Sequence, residues 1–342
     1  MKAVFFRKQG GEIEYGELPA PIPAPGEVLI RLEAVSLNRT ELITWVGWPG
    51  LELEMPHIPG ADGAGRVVEV GSQVTQLAVG DRVVINPSLF CGECDFCLAG
   101  HQNLCTSWRL LGEHAPGTFR ELIAIPERNL VKMPQEFDAA QAAAAALVYL
   151  TAWHSLITRG QLKAGESVLV IGASGGVSTA SIQIAKYAGA SILVVGSSAD
   201  KLAVAEAAGA DVLIDRSQDE AWSKTAYRAD GRRGVDVVVD NVGAETMPLS
   251  LRAARKGGRI LTVGNTSGPK FELDNRFLFG KHLSIIGSTM GTAKEFGTVM
   301  GLVFEGKLSP IMDRQFLLQD AASAFEHMKA GNQQGKITLT VP

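Results

Sequence analysis

The segment Val168–Val177, VLVIGASGGV, decides how the rest of the chain is read. A short apolar run, Val168 to Ile171, meets the glycine-rich turn Gly172-Ala173-Ser174-Gly175-Gly176. A proline-free segment with helical spacing follows from Val177 to Gly189. Strand, tight glycine turn and helix start, in that order, make a cradle for a dinucleotide pyrophosphate. The backbone can approach the phosphates there, and the helix start presents unpaired N–H groups at the positive end of its dipole. Ala173, Ser174, Gly175, Gly176 and Val177 are therefore candidate cofactor contacts.

Apolar runs recur on both sides of helical segments from about residue 167: Val168–Ile171, Ile192–Val195, Val212–Ile214, Val237–Val239, Ile260–Val263 and Leu283–Ile286. Runs without alternation suit strands buried on both faces, so they predict a doubly wound, six-stranded parallel sheet with helices on either side. Residues 1–130 read differently. Short β-like runs (Val28–Leu32, Gly65–Val70, Arg82–Ile85, Phe119–Ile125) alternate with Gly and Pro, which predicts an irregular, barrel-like β domain. The alanine-rich stretch from Ala139 predicts a helix leading into the next domain. After Thr289 two helices, Lys294–Phe304 and Ala321–Ala330, precede a last strand, Lys336–Val341, expected to return to the first domain.

At 342 residues two domains are expected. A net charge of −4 supplies no basic stripe, which argues against nucleic acid as a partner. No apolar run approaches the roughly 20 residues of a membrane helix. Acidic residues follow the N-terminal MKAVFFRKQGGEIE too soon for a signal peptide, so a cytoplasmic, reducing compartment is expected.

All four cysteines fall in one window, CGECDFCLAGHQNLC: Cys91, Cys94, Cys97 and Cys105. This spacing lets four thiolates converge on one ion, giving a closed tetrahedral site with no open position, the arrangement of structural zinc. Two disulfides fit a reducing compartment less well. An iron centre fits less well without a second, distant pair.

The parts occur in a telling order: GADGAGRVVEVG at 60–71, GDRV at 80–83, the cysteine lobe, ASGGVS at 173–178 and GKITL at 335–339. Over essentially the whole chain this resembles the medium-chain dehydrogenase/reductase superfamily, the zinc-type alcohol dehydrogenases and their quinone oxidoreductase relatives. The resemblance implies an α/β protein: a GroES-like β-rich barrel domain (1–150 and 290–342) plus a Rossmann domain (151–289). It further implies a nicotinamide cofactor in the cleft and a homodimer or homotetramer. Catalytic-zinc members resemble one another in a cysteine near residue 38, a Gly-His-Glu, and a third ligand near the interdomain helix. The matching positions here are Asn38, then Ala61 and Asp62 after Gly60, and an alanine-rich stretch near Ala145. These residues cannot supply thiolate and imidazole, so the catalytic zinc is expected to be absent.

The cofactor fingerprint reads Ala173, Gly175, Ser178 in place of three glycines. An acid at the tip of the second strand would take the 2′-hydroxyl of NAD. That tip carries Gly196, Ser197 and Ser198, with Lys201 beyond and Arg216 after the third strand. Small size, hydroxyls and positive charge suit a 2′-phosphate and predict NADP(H) over NAD(H), although Ser198 also reads as a helix N-cap. Asn241, Val263, Gly264 and Ser288 follow later strands, where ligand-lining loops are expected, and plain turn chemistry would explain them equally well.

Without a metal to polarise an alcohol, hydride transfer favours a substrate that delocalises its own charge, a quinone or an α,β-unsaturated carbonyl. Asn38 is the candidate donor to the developing oxyanion, Tyr149 and Thr151 are candidate cleft hydroxyls, and His114 is a possible substrate-side donor. Trp45 and Trp48 either wall an apolar pocket or pack in the core. Two other functions stay open: an alcohol or aldehyde dehydrogenase whose zinc has unusual ligands, and an NADPH-binding redox sensor without turnover.

Overall fold

The computed structural model describes residues 1–229, 231 and 233–342. It divides into two compact units, Met1–Leu147 with Gly291–Pro342, and Val148–Met290.

In the second unit six strands run parallel in the spatial order Val212–Asp215, Ser191–Gly196, Ser167–Ile171, Val235–Asp240, Ala254–Thr262, Ser284–Gly287. Numbered along the chain this is 3-2-1-4-5-6, the doubly wound dinucleotide-binding order. Each of the six apolar runs seeds one strand. Ser167–Ile171 lies at the centre and is buried throughout, as a strand covered on both faces must be. The chain reverses sheet direction beside this strand, so the crevice at its C-terminal end is where the topology places a ligand.

In the first unit the long strand Glu27–Leu37 pairs antiparallel with Asp62–Val70, Leu122–Pro126 and Lys336–Thr340. The C-terminal strand thus lies in the sheet of the N-terminal residues. Two features differ from the reading of the sequence. Phe119–Glu121 lie outside the strand that begins at Leu122. The strand Met312–Leu317, with its exposed, charged sequence MDRQFL, pairs parallel with Lys336–Thr340 and carries no apolar signal that would announce it.

The alanine-rich helix, Ala139–Trp153, continues as a π-helix over His154–Arg159. By length and composition alone these 21 residues could cross a membrane, a correction to the count of apolar residues. The polar Gln141, Thr151 and His154 interrupt the run in sequence. Here 83% of its most apolar window is buried inside the protein, as befits a core helix.

Candidate functional site

In the second unit the strand Ser167–Ile171 ends at Gly172, whose φ of +100° favours glycine. A Cβ added there would stand 3.1 Å from the Ser178 hydroxyl, so that side chain tucks under the turn where the family fingerprint has a third glycine. Gly175 caps the helix Gly176–Tyr187 in an extended conformation. Apart from its chain neighbours, a Cβ on Gly175 would come no nearer than 3.8 Å to any described residue, so none of these fills the space above it. The first-turn N–H groups of Gly176, Val177 and Ser178 have no carbonyl one turn back, which leaves them suited to an anion.

The loops after the later strands complete the cradle. Both polar atoms of the Asn241 carboxamide and the Ser288 hydroxyl are sealed from solvent without a hydrogen-bond partner. Orphaned polar atoms at strand C-termini are costly unless something fills the site, and a nucleotide with its ribose and amide groups fits them. Gly264 lies against the carbonyl of Asn241, where an added Cβ would meet it at 3.0 Å. Val263 begins the same loop. Asp240 was missed in the sequence: it is fully buried and its carboxylate accepts bonds from the N–H groups of Val242 and Gly243 and the hydroxyls of Thr246 and Ser250. It sets the shape of the Asn241 loop.

At the tip of Ser191–Gly196 a Cβ on Gly196 would collide with Leu202 at 2.6 Å, so packing demands glycine there. Ser197 is exposed, and the Ser198 hydroxyl accepts the Lys201 N–H at 3.5 Å, an N-cap for Ala199–Ala207. Arg216 stands 3.8 Å from Glu245. Asp215 lies opposite Gly196 in register, and its carboxylate is turned onto the N–H and hydroxyl of Ser217.

In the first unit the position matching a metal thiolate holds a buried polar cluster. Asn38 Nδ2 donates to Asp62 Oδ2 at 2.9 Å, and Lys336 Nζ donates to Asn38 Oδ1 and, at 3.2 Å, to Asp62 Oδ2. Asp62 Oδ1 accepts the Leu147 N–H at 2.9 Å. Glu41 lies beside them, accepting the N–H groups of Asn38 and Ala61. All four side chains are buried. The Asn38 carboxamide is thus already committed at both ends, and only one Nδ2 hydrogen remains for any other acceptor. The chain folds this way because glycines let three segments cross: a Cβ on Gly60 would strike Phe119, and one on Gly117 would strike the carbonyls of Pro59 and Gly60.

Burial first, then the Asp62 charge, pushes the Glu41 carboxyl up to about 7, while Lys336 and the backbone N–H groups oppose the rise. An unfolded glutamate ionises near 4.5, so the folded state binds this proton more tightly. Its contribution to stability is complete below pH 4.5 and is lost as pH rises through 7. Relative to Glu41→Gln, which cannot titrate, the wild-type chain should lose roughly 2–3 kcal/mol between pH 5 and 8. Urea unfolding at several pH values reads this difference, and a pH-independent gap would refute the assignment.

Other candidates are committed elsewhere. The Tyr149 hydroxyl, expected in a cleft, is buried and donates to Gln183 Oε1 at 2.9 Å, with burial raising its pKa above the usual phenol range. The Thr151 hydroxyl is buried 3.5 Å from Met290 Sδ. Both point inward because the helix that carries them is a core element. Trp45 packs in the core, its ring edge-on to Phe325 and its Nε1 donating to the Gly11 carbonyl, whereas Trp48 is exposed. His114 Nδ1 accepts the Leu110 N–H, with Trp108 edge-on to its ring.

The sulfurs of Cys91, Cys94, Cys97 and Cys105 all lie within 4.8 Å of one another. Cys91 Sγ is 3.5 Å from Cys105 Sγ and 3.9 Å from Cys97 Sγ. Ligands about 2.3 Å from a tetrahedral zinc stand about 3.8 Å apart, so the group fits the ion. Backbone N–H groups of Cys97 and Thr106 lower the Cys94 thiol to about 6, while burial raises Cys97 to about 12. Among the described residues no other group of three or more His, Cys, Asp or Glu side chains comes close enough to share a metal.

Two family models match the chain: alcohol dehydrogenase GroES-like domain over residues 24–135 and zinc-binding dehydrogenase over residues 176–305. An acryloyl-coenzyme A reductase of Metallosphaera sedula is 31% identical over 343 residues, covering 99% of this chain and 100% of its own length. The chain belongs to the medium-chain dehydrogenase/reductase superfamily. A solved NAD-dependent alcohol dehydrogenase superposes on this superfamily member with a TM-score of 0.96 at 40% identity, each chain fully covered. The 2-octenoyl-CoA carboxylase reductase CinF, solved with NADP and 2-octenoyl-CoA, superposes with a TM-score of 0.91 at 27% identity, covering 99% of this chain and 87% of its own. Like its relatives in the superfamily, the chain is an NAD(P)-dependent oxidoreductase.

Proposed function

We propose that this chain is an NADPH-dependent reductase of quinones or α,β-unsaturated carbonyl compounds that works without a catalytic metal. The observation that carries the reading is the Asn38–Asp62–Lys336 cluster. An ammonium and an amide, hydrogen-bonded to a carboxylate, stand where a catalytic zinc would need thiolate and imidazole. The acryloyl-coenzyme A reductase relative and CinF support it, since both names describe reductases and CinF binds an enoyl thioester with NADP. The cofactor supplies the hydride. The chain's task is to hold it by Gly175–Ser178, Asn241, Val263, Gly264 and Ser288 and to anchor a 2′-phosphate by Ser197, Lys201 and Arg216. Residues 151–289 take the cofactor-binding role, and 1–150 with 290–342 the substrate role. The four-cysteine lobe holds one structural zinc in thiolate form, in keeping with a cytoplasmic, reducing setting and a homodimeric or homotetrameric assembly.

NADPH and NADH oxidation across quinones, enones and aldehydes, run beside zinc analysis, tests the proposal. About one zinc per chain and faster NADPH oxidation with enones or quinones support it. Two zincs per chain with alcohol oxidation would favour the dehydrogenase reading, to which the solved NAD-dependent alcohol dehydrogenase points. NADPH binding with no turnover on any substrate would favour a sensor. Ser197→Asp should lower kcat/KM for NADPH about a hundredfold, equivalent to about 2.8 kcal/mol, by setting a carboxylate against the 2′-phosphate. An NADPH/NADH ratio unmoved by this exchange would sink the anchor.

A further inference from the structure

Arginines with limited exposure in this chain have carboxylate partners. Arg82 pairs with Glu33, Arg259 with Glu166 and Arg255 with Asp236. Arg120 does not. It is half-buried, follows Thr118–Phe119 at the glycine crossing behind Asp62, and has no ion pair among the described residues. Its Nε is sealed from solvent without a hydrogen-bond partner, and among the described residues its guanidinium makes one hydrogen bond, from Nη2 to the Pro116 carbonyl, which is long at 3.4 Å. Burial alone, with no opposing charge, draws its pKa down to about 10. A guanidinium stays charged at neutral pH, and removing water from part of it without pairing it is unfavourable. A cation kept in that condition is prepared for an anion that arrives from outside. Two segments tie the residue to the buried cluster: the Thr118 hydroxyl holds the Asp62 carbonyl at 2.7 Å, and Gly117 and Phe119 pack on Gly60.

We propose that Arg120 is a binding residue for an oxyanion, a carboxylate or a phosphate, carried by the substrate. Its planar fork of donors matches either group in a bidentate fashion. The reductase reading thereby gains a substrate class: the unsaturated carbonyl compound carries a negative group away from the reacting double bond. This rests on that reading only for the kinetic part of the test.

The experiment compares wild type with Arg120→Gln and Arg120→Lys in the full chain. Two enones of matched shape are used, 6-oxo-4-heptenoate and 3-hepten-2-one, which differ by a carboxylate against a methyl group two methylenes from the double bond. The ratio of kcat/KM for the acid over the ketone should fall at least tenfold in Arg120→Gln and less in Arg120→Lys. Thermal unfolding is followed in parallel with inorganic phosphate or propionate against chloride at equal ionic strength. Wild type should gain about 3 °C with one of the two anions, which identifies the favoured group, and Arg120→Gln should gain nothing. In chloride, Arg120→Gln should melt no lower than wild type, because an unpaired cation has been removed. An unchanged acid-to-ketone ratio overturns the proposal. So does a variant that melts several degrees lower in chloride while neither anion stabilises wild type. The thermal measurement stands whether or not either enone is reduced, so the two readings fail separately.

Discussion

Removing the zinc from the cysteine lobe should unfold the first unit well before the second. Four sulfurs within 4.8 Å of one another, Cys97 and Cys105 among them buried, would be held together by the one ion they are placed to share. Without it the lobe retains a small apolar cluster around Phe90, Trp108 and Ala293, with little to anchor residues 91–105. Structural zinc contributes about 10–16 kcal/mol to isolated zinc-finger folds. A larger domain loses less, because the rest of its core persists. A loss on the order of 4 kcal/mol in a unit of roughly 200 residues would lower Tm by about 8–16 °C. Cys97→Ser should release the ion and reproduce the loss. The check is zinc content beside calorimetry, with and without a chelator, and an unchanged Tm after complete removal of zinc would sink the structural role.

Lys336→Met should be the most damaging single change outside that lobe. It leaves the Asp62 carboxylate fully buried with two N–H donors and no counter-charge, beside Glu41. Breaking a buried pair by removing one partner costs about 3–5 kcal/mol. Asp62→Asn on the same background removes the orphaned charge and should recover more than half of that cost, since the pair acts as a unit. Denaturant midpoints of the two single variants and the double variant give the coupling. Additive effects would show that Lys336 and Asp62 act independently.

Much of the second unit was legible in the sequence. Its strands are continuous apolar runs, its turn is written in glycine, and strand order follows from the connection rules of a doubly wound sheet. The cysteine lobe was equally legible, because its ligands come from one short loop. The cluster around Asn38 was half legible. Likeness to the superfamily marked the residues that could not bind zinc, but Asn38, Asp62 and Lys336 are separated by up to 298 positions, and nothing local says that they touch. Tyr149 and Thr151 went the other way. A hydroxyl in a helix reads the same whether it faces a cleft or a core, and the packing of Ala139–Arg159 turned both inward.

Sequence by itself determined the local chemistry: a glycine turn at Gly172–Val177 with the spacing of a phosphate cradle, four thiols spaced for one ion, and no thiolate or imidazole at the positions that match a catalytic-metal site. Each depends on neighbours a few residues apart or on which residue types exist at all. Tertiary structure decided what each polar group is free to do. It gave Asn38 two partners, drew Asp240 onto its own loop, tucked Ser178 under the cradle turn, and left Arg120 without a carboxylate. Hydrogen-bond and charge pairing are set by distances of a few ångströms between residues far apart in the chain, so only the folded chain could assign them.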